Sequence, residues 1–221
     1  MIKIIQIAVF LLFSTSLLMG QEQKRNTELG ITLLTVNPFT RHNSVGVGIP
    51  RIEYLNGIFF RYSKERISFR AFGSYAQYEE TFTGASTFAS MLDGWRGKLE
   101  HKNFKIGLGT QYALFKDHKW FYALADVAYN NIYYSGSVLG DTPNDQQYYS
   151  ATVNGVNVNV GFGATISICK FFKVSPELTY SFFSGKENNN QTSLTSGQTT
   201  NNKINRSGAY PVIKLQASYL F

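Results

Sequence analysis

Three histidines, His42, His101 and His118, are the residues of this chain best suited to general acid–base chemistry near neutral pH. Acyl transfer or hydrolysis would need one of them beside a hydroxyl and a carboxylate. His118 falls in a short turn, and His42 lies in a long connection. His101 stands between Glu100 and Lys102, just ahead of an alternating segment. Adjacent residues of a strand point to opposite faces, so Glu100 and His101 make no constellation. All three histidines are expected to be solvated polar residues. The chain has no Gly-x-Ser-x-Gly elbow and no metal-ligand spacing. Cys169 is the single cysteine, expected at a turn, and cannot form an internal disulfide. No catalytic, cofactor-binding or metal residue is assigned.

A different chemistry recurs along the chain. Glu28, Glu53, Asp126 and Glu177, with Arg51, Arg61, Arg70, Lys105, Lys173 and Lys214, sit at alternate positions and share that face with Gly, Ser and Asn. Mixed signs in one narrow space imply mutual neutralisation, since buried charge must be paired or hydrated. The structural site expected is therefore a lumen charge network of Glu28, Glu53, Arg61, Arg70, Asp126, Lys173, Glu177 and Lys214. Glu177 with Lys214, and Glu28 with Arg61, are the pairs expected to meet.

These charges ride on eight segments of period two. They are Thr27–Val36, Arg51–Tyr62, Ile67–Tyr78, Asn103–Phe115, Trp120–Tyr134, Ala151–Ile168, Phe172–Phe183 and Gly208–Phe221. The sixth is the cleanest: Val156, Val158, Val160, Phe162, Ala164, Ile166 and Ile168 oppose Gly155, Asn157, Asn159, Gly161, Gly163, Thr165 and Ser167. The second has weak points, with Asn56 on the apolar face and Phe59 on the other. A strand greasy on one side and polar on the other lies between two solvents. A soluble barrel would place its apolar face inside; here the charges share a face with small residues, which suits a narrow lumen.

The connections segregate by length. Asn37–Pro50, Glu79–Lys102, Ser135–Ser150 and Ser184–Ser207 are long, whereas Ser63–Arg66, Lys116–Lys119 and Cys169–Phe171 are short. This predicts an all-β fold: an eight-stranded antiparallel up-and-down transmembrane β-barrel, long loops at one end and both termini at the other. Ile168 and Phe172 both face outward, so the turn between them must hold three residues. Within the second loop, Phe82, Phe88, Met91, Leu92, Trp95 and Leu99 suit packing or partner binding. Lys186–Arg206 is almost wholly polar and is expected to be mobile.

Composition agrees. Charged residues are 16% and aromatic residues 15%, against about a quarter charged in soluble domains. Lys3, the apolar run Ile4–Phe13 and the small residues up to Gly20 read as a secretory signal. Residues 1–20 are thus a signal peptide and 21–221 the barrel domain. The net charge of +7 is dispersed rather than clustered, which argues against nucleic acid and for anionic lipopolysaccharide.

The terminal Tyr219-Leu220-Phe221, the alternating strands, and segments such as 56–62 and 172–180 resemble the outer-membrane protein β-barrel domain family, the small barrels that include OmpX and the OmpA membrane domain. The resemblance implies a monomer in the cell outer membrane, delivered by the barrel-assembly machinery through the strand ending at Phe221. It implies contact with outer-membrane lipids, a possible surface partner through the loops, and no periplasmic domain after the last strand. It leaves the role open. The expectation is a non-enzymatic barrel displaying loops for adhesion, envelope structure or interaction; a lipid-modifying enzyme and a minor channel are the alternatives.

Overall fold

A computed structural model describes residues 26–37, 51–83, 96–115, 120–139 and 146–221. The signal segment, His42, His118, Phe88, Met91, Leu92, Trp95 and the side chain of Arg51 lie outside these residues. Eight strands form one antiparallel ring: β1 Thr27–Asn37, β2 Arg51–Lys64, β3 Ile67–Thr83, β4 Arg96–Ala113, β5 Phe121–Leu139, β6 Gln146–Ala164, β7 Phe172–Ser193 and β8 Thr199–Leu220. After Thr165, β6 resumes as Ile166–Ser167 without losing register. Each strand pairs with its sequence neighbours, and β1 with β8 closes the ring. Closure removes every sheet edge from lipid, which membrane-spanning strands require.

The register is sheared. Paired residues lead from Thr32 through Gly57, Ser74, Lys105, Asn130, Gly155 and Gly185 to Arg206, ten residues along β8 from Gln216, the partner of Thr32. Such a stagger is what tilts the strands of a closed barrel. Allowing for that climb, Tyr54, Tyr75, Phe104, Tyr129 and Phe182 stand at one level, all of them exposed. Their polar edges meet polar neighbours. Tyr75 donates to Gln77 at 3.0 Å and Tyr129 to Asn154 at 2.9 Å. This is the aromatic belt of a membrane–water interface. Below it the outward face is Ile58, Ile106, Leu108, Val127, Val158, Val160 and Leu178, each more than a third exposed.

The turns at the other end are tight. Glu65-Arg66 closes β2 on β3, with Glu65 at φ 56°. Arg66 donates through Nε and Nη2 to the Ala113 carbonyl at 3.1 and 2.9 Å, and through Nη2 to that of Leu114 at 2.8 Å, clamping the next turn. Ser167 opposes Lys173, and the Ile168 N–H donates to the Phe172 carbonyl at 2.9 Å. The β6–β7 turn therefore holds Cys169, Lys170 and Phe171, as parity demands.

Two expectations are corrected. Asn56 does not face lipid. The β1–β2 register shifts between Thr32 and Leu34, and Leu55 takes φ 47°. The bulge turns Asn56 inward, where it is buried. Strand also runs into the described parts of the later long connections: β3 runs five residues past Tyr78, and β7 ten past Phe183. The polar segment within 186–206 is a paired hairpin with its turn at 194–198, not a mobile loop. Composition misled because the segment offers almost no apolar side chains to bury, while its backbone is held by β6 on one side and by its own return strand on the other.

Candidate functional site in the lumen

Inward side chains fill the membrane part of the barrel in two tiers. In the lower one, Glu28 is buried and accepts from Arg61 at 3.0 Å, Lys173 at 2.7 Å and Ser218 at 3.1 Å. The Arg61 guanidinium also lies 5.2 Å from the Phe59 ring and 5.9 Å from that of Tyr122. In the upper tier Arg70 binds Asp126 through two nitrogens and donates to Glu177 at 2.5 Å. Gln111 at 3.2 Å and Tyr122 at 3.0 Å donate to the same Glu177 oxygen. The bidentate Arg70–Asp126 pair fixes geometry as well as charge.

Glycines make room for these groups. A Cβ at Gly163 would stand 2.5 Å from the Tyr122 ring, and one at Gly107 would stand 2.5 Å from that of Phe72. Gly30 stands directly opposite Phe59, and Gly163 opposite Tyr122. Each inward ring therefore lies across a neighbouring glycine, which is how aromatics fit a lumen this narrow.

The expected network is gathered, with two differences. Glu28–Arg61 forms as expected. Glu177 and Lys214 are direct partners in register, but the Glu177 carboxylate is taken by Arg70, which reaches across from β3. The Lys214 ammonium instead stands 5.6 Å from the centre of the Phe72 ring. Glu53 is held apart from both tiers: Asn56 donates to it at 2.6 Å and in turn accepts from Thr35 at 3.3 Å. Gln111 and Ser218 carry network bonds although their types drew no attention in the sequence, and Tyr122, expected among the residues that constrict the lumen, joins them.

Above the aromatic belt the wall changes character. Leu99, Tyr134, Val138, Tyr149, Ala151 and Val153 point inward and form the apolar core, with Ile132 and Phe183 against it. Outside, Lys98, Ser137 and Asn188 meet water. The strands keep their alternation while the solvents exchange sides. Within this tier Glu187 is fully buried and accepts from Arg206 at 2.6 Å, Asn189 at 3.1 Å and Tyr149 at 3.2 Å. Burial, then the Glu187 charge, holds the Tyr149 phenol far above the ordinary tyrosine range. Burial works against the Arg206 charge, but the bond to Glu187 outweighs it and raises its affinity for its proton. His101 is not solvated: it is 2% exposed and packs, tilted, against the rings of Tyr78 at 4.3 Å and Tyr134 at 5.1 Å. Glu100 points away and pairs with Lys102 at 3.2 Å, as strand alternation requires. Inward parity continued from Phe183 would have found Glu187; nothing in residue type would have.

Between the upper charge tier and this apolar core lies a cavity of about 450 Å³. Arg70, Phe59, Phe72 and Lys214 line its deep end, and Ile132, Val153, Phe183, Ile204 and Arg206 line it higher up. Among the described residues no cluster of metal-ligating side chains occurs.

No protein-family model matches the sequence, and no curated protein matches it. Solved structures do resemble the fold. A major outer membrane protein from Thermus thermophilus aligns with a TM-score of 0.51 at 10% identity, over 88% of this chain and 99% of its own. Acinetobacter baumannii CarO2 aligns with a TM-score of 0.50 at 11% identity, over 90% of this chain and 100% of its own. The E. coli outer membrane protein W aligns more loosely, with a TM-score of 0.37 at 11% identity, over 91% of this chain and 100% of its own. A closed eight-stranded ring with an apolar belt between aromatic and polar margins, sharing its fold with the Thermus and Acinetobacter outer membrane proteins, is a small outer-membrane β-barrel, and the outer membrane is where this chain resides.

Proposed function

We propose that this protein is a non-enzymatic, non-conducting barrel that holds a rigid β-walled platform outside the outer membrane for adhesion or interaction. The observation that carries this reading is the outer tier. β5, β6, β7 and β8 continue as paired strand some ten residues past the belt, and the tier is filled by its own apolar core and the buried Glu187 group. Ten residues of strand span about 33 Å along their own axis. A tilted wall of that length stands well clear of the lipid surface. Its outward face on β7 and β8 is polar, with Asn188, Asn190 and Asn201 beside the exposed Lys186 and Lys203. Lys102 and Lys186, a short step above the belt, suit the phosphates of lipopolysaccharide.

A hydrolytic reading has less support, because His101 is buried against the rings of Tyr78 and Tyr134, and the neighbouring Glu100 faces the other way and pairs with Lys102. The test is whole-cell. Cells displaying the wild-type protein are compared with cells displaying Lys186→Glu with Lys203→Glu, both on the outward face. Adhesion to a panel of surfaces should fall in the variant, while resistance of the envelope to detergent stays unchanged. Equal adhesion by both, and by cells lacking the protein, would count against the platform; fatty-acid release from lipopolysaccharide by the purified barrel would count for an enzyme.

A further inference from the structure

Two glycines open the lumen wall just below the apolar core. One row of paired inward residues runs from Lys105 on β4 to Asn130 on β5, Gly155 on β6, Gly185 on β7 and Arg206 on β8. The glycines leave two strands without side chains between the Asn130 amide and the Arg206 guanidinium. The Phe183 ring fills that gap, since a Cβ at either Gly155 or Gly185 would run into it. Asn103, one inward step higher on β4, is the diagonal neighbour of Asn130. Asn103, Asn130, Phe183 and Arg206 all line the cavity. An aromatic ring thus lies between two amides on one side and a guanidinium on the other.

We propose that this cavity is a binding site for a neutral sugar, held between the asparagines of β4 and β5 and Arg206 of β8. Three observations support this occupant. First, the charges balance. Arg70, Lys105 and Lys214 stand against Glu53, Asp126 and Glu177 around the deep end, and Arg206 is neutralised by Glu187 higher up. Neither an anion nor a cation gains a net attraction there. Second, buried polar atoms of both kinds that line the cavity have no partner. Asn103 Oδ1 and Asn130 Oδ1 are acceptors, and Arg206 Nη2 is a donor. A hydroxyl both donates and accepts. A carboxylate would answer only the guanidinium, and an ammonium only the amides. Third, the lining combines amides with rings. Asn56, Asn103, Asn130, Asn159, Asn205 and Gln216 supply the amides, and Phe59, Phe72 and Phe183 the rings. A sugar presents hydroxyls at its edge and C–H groups on its faces, which is the pattern this lining matches. Water alone would answer the polar atoms but gain nothing from the Phe183 ring between them. The volume falls in the range of about 300–1,000 Å³ typical of ligand sites.

Gly208 supplies a way to fill the site. It lines the cavity, and a Cβ there would meet nothing within 4 Å. Its position opposite Phe183 directs a side chain inward, where a large one would take the place of the ligand.

The test uses the full barrel, labelled with nitrogen-15 at asparagine, in bilayer discs of zwitterionic lipid. Glucose, N-acetylglucosamine and maltose are the neutral probes. Gluconate and glucosamine keep the glucose skeleton with a negative or a positive charge, and glutamine carries both. The side-chain amide signals are followed through each titration. At least one neutral sugar should shift a subset of them saturably, and each charged probe should bind at least tenfold more weakly. Asn130→Leu should weaken the sugar response by roughly two- to tenfold, the loss of one neutral hydrogen bond. Phe183→Leu, which keeps an apolar side chain but removes the ring, should weaken it as well. Gly208→Trp should abolish the response while the folded band on an unheated gel persists; if that band is lost, Asn130→Leu and Phe183→Leu decide. No saturable shift with any neutral sugar would mean a cavity that holds water only. That result, a charged probe bound as tightly as the sugars, or unchanged affinity in both Asn130→Leu and Phe183→Leu would overturn the proposal.

Discussion

Arg70 carries the strongest demand on the structure. It is 3% exposed and neutralises two carboxylates at once. Breaking a buried pair by removing one partner costs about 3–5 kcal/mol, because the other charge stays buried and unpaired. Arg70→Met should therefore lower unfolding stability in urea by that amount, read from the heat-modifiable band. Arg70→Met with Asp126→Asn and Glu177→Gln should recover part of it, since neither carboxylate is then stranded. Gly163 tests the ring-on-glycine arrangement. The three atoms nearest its Cβ would all belong to Tyr122, at 2.5 to 2.6 Å. Gly163→Ala should cost about 1–3 kcal/mol by overpacking. Added to Tyr122→Leu, the same change should cost much less, a coupling that a double-mutant cycle measures directly. Additive losses would mean that the ring does not depend on the glycine.

At the scale of elements, legibility followed the solvent. Where lipid lies outside and polar groups inside, period two was plain; Val156 to Ile168 and the three-residue turn at Cys169 came out as alternation required. Above the belt the solvents change sides, so a reader following apolar outward positions loses the strand although parity holds. Leu99, Val138 and Tyr149 then read as loop residues rather than as core. Bulges hide for another reason: an extra residue leaves no compositional mark. Leu55 is a bulky residue at φ 47°, a region costing L-residues about 1–2 kcal/mol that Asn tolerates better. Leu55→Asn should keep Asn56 inward and raise stability by up to about 1 kcal/mol. A loss of stability instead, measured by urea unfolding in lipid, would show that the Leu55 side chain holds more than its backbone costs. Arg70 reaching from β3 to Glu177 on β7 could not be read from either strand, because it depends on the width of the lumen.

For the whole molecule, the two charge tiers decide whether the barrel conducts. Arg61, Phe59 and Tyr122 cross the lumen low down, and Arg70, Asp126, Glu177 and Gln111 cross it just above. An ion passing through would have to displace buried, mutually bonded charges, and the mixed signs favour neither cations nor anions. The cavity reaches Arg70, Phe59 and Gln216 at its deep end, and the bonded group of Glu28, Arg61 and Lys173 stands below it. The wild-type protein in a planar bilayer should give no large, stable single-channel conductance. Arg61→Ala with Arg70→Ala, which removes one spanning side chain from each tier, should raise both the frequency and the size of openings if the variant retains its folded band. Should that band be lost, Gln111→Ala with Tyr122→Ala opens the same level without stranding a carboxylate, and it should conduct more than wild type. Stable wild-type conductance would mean that the tiers part in the membrane, and the reading of this barrel as a plugged platform would fail with them.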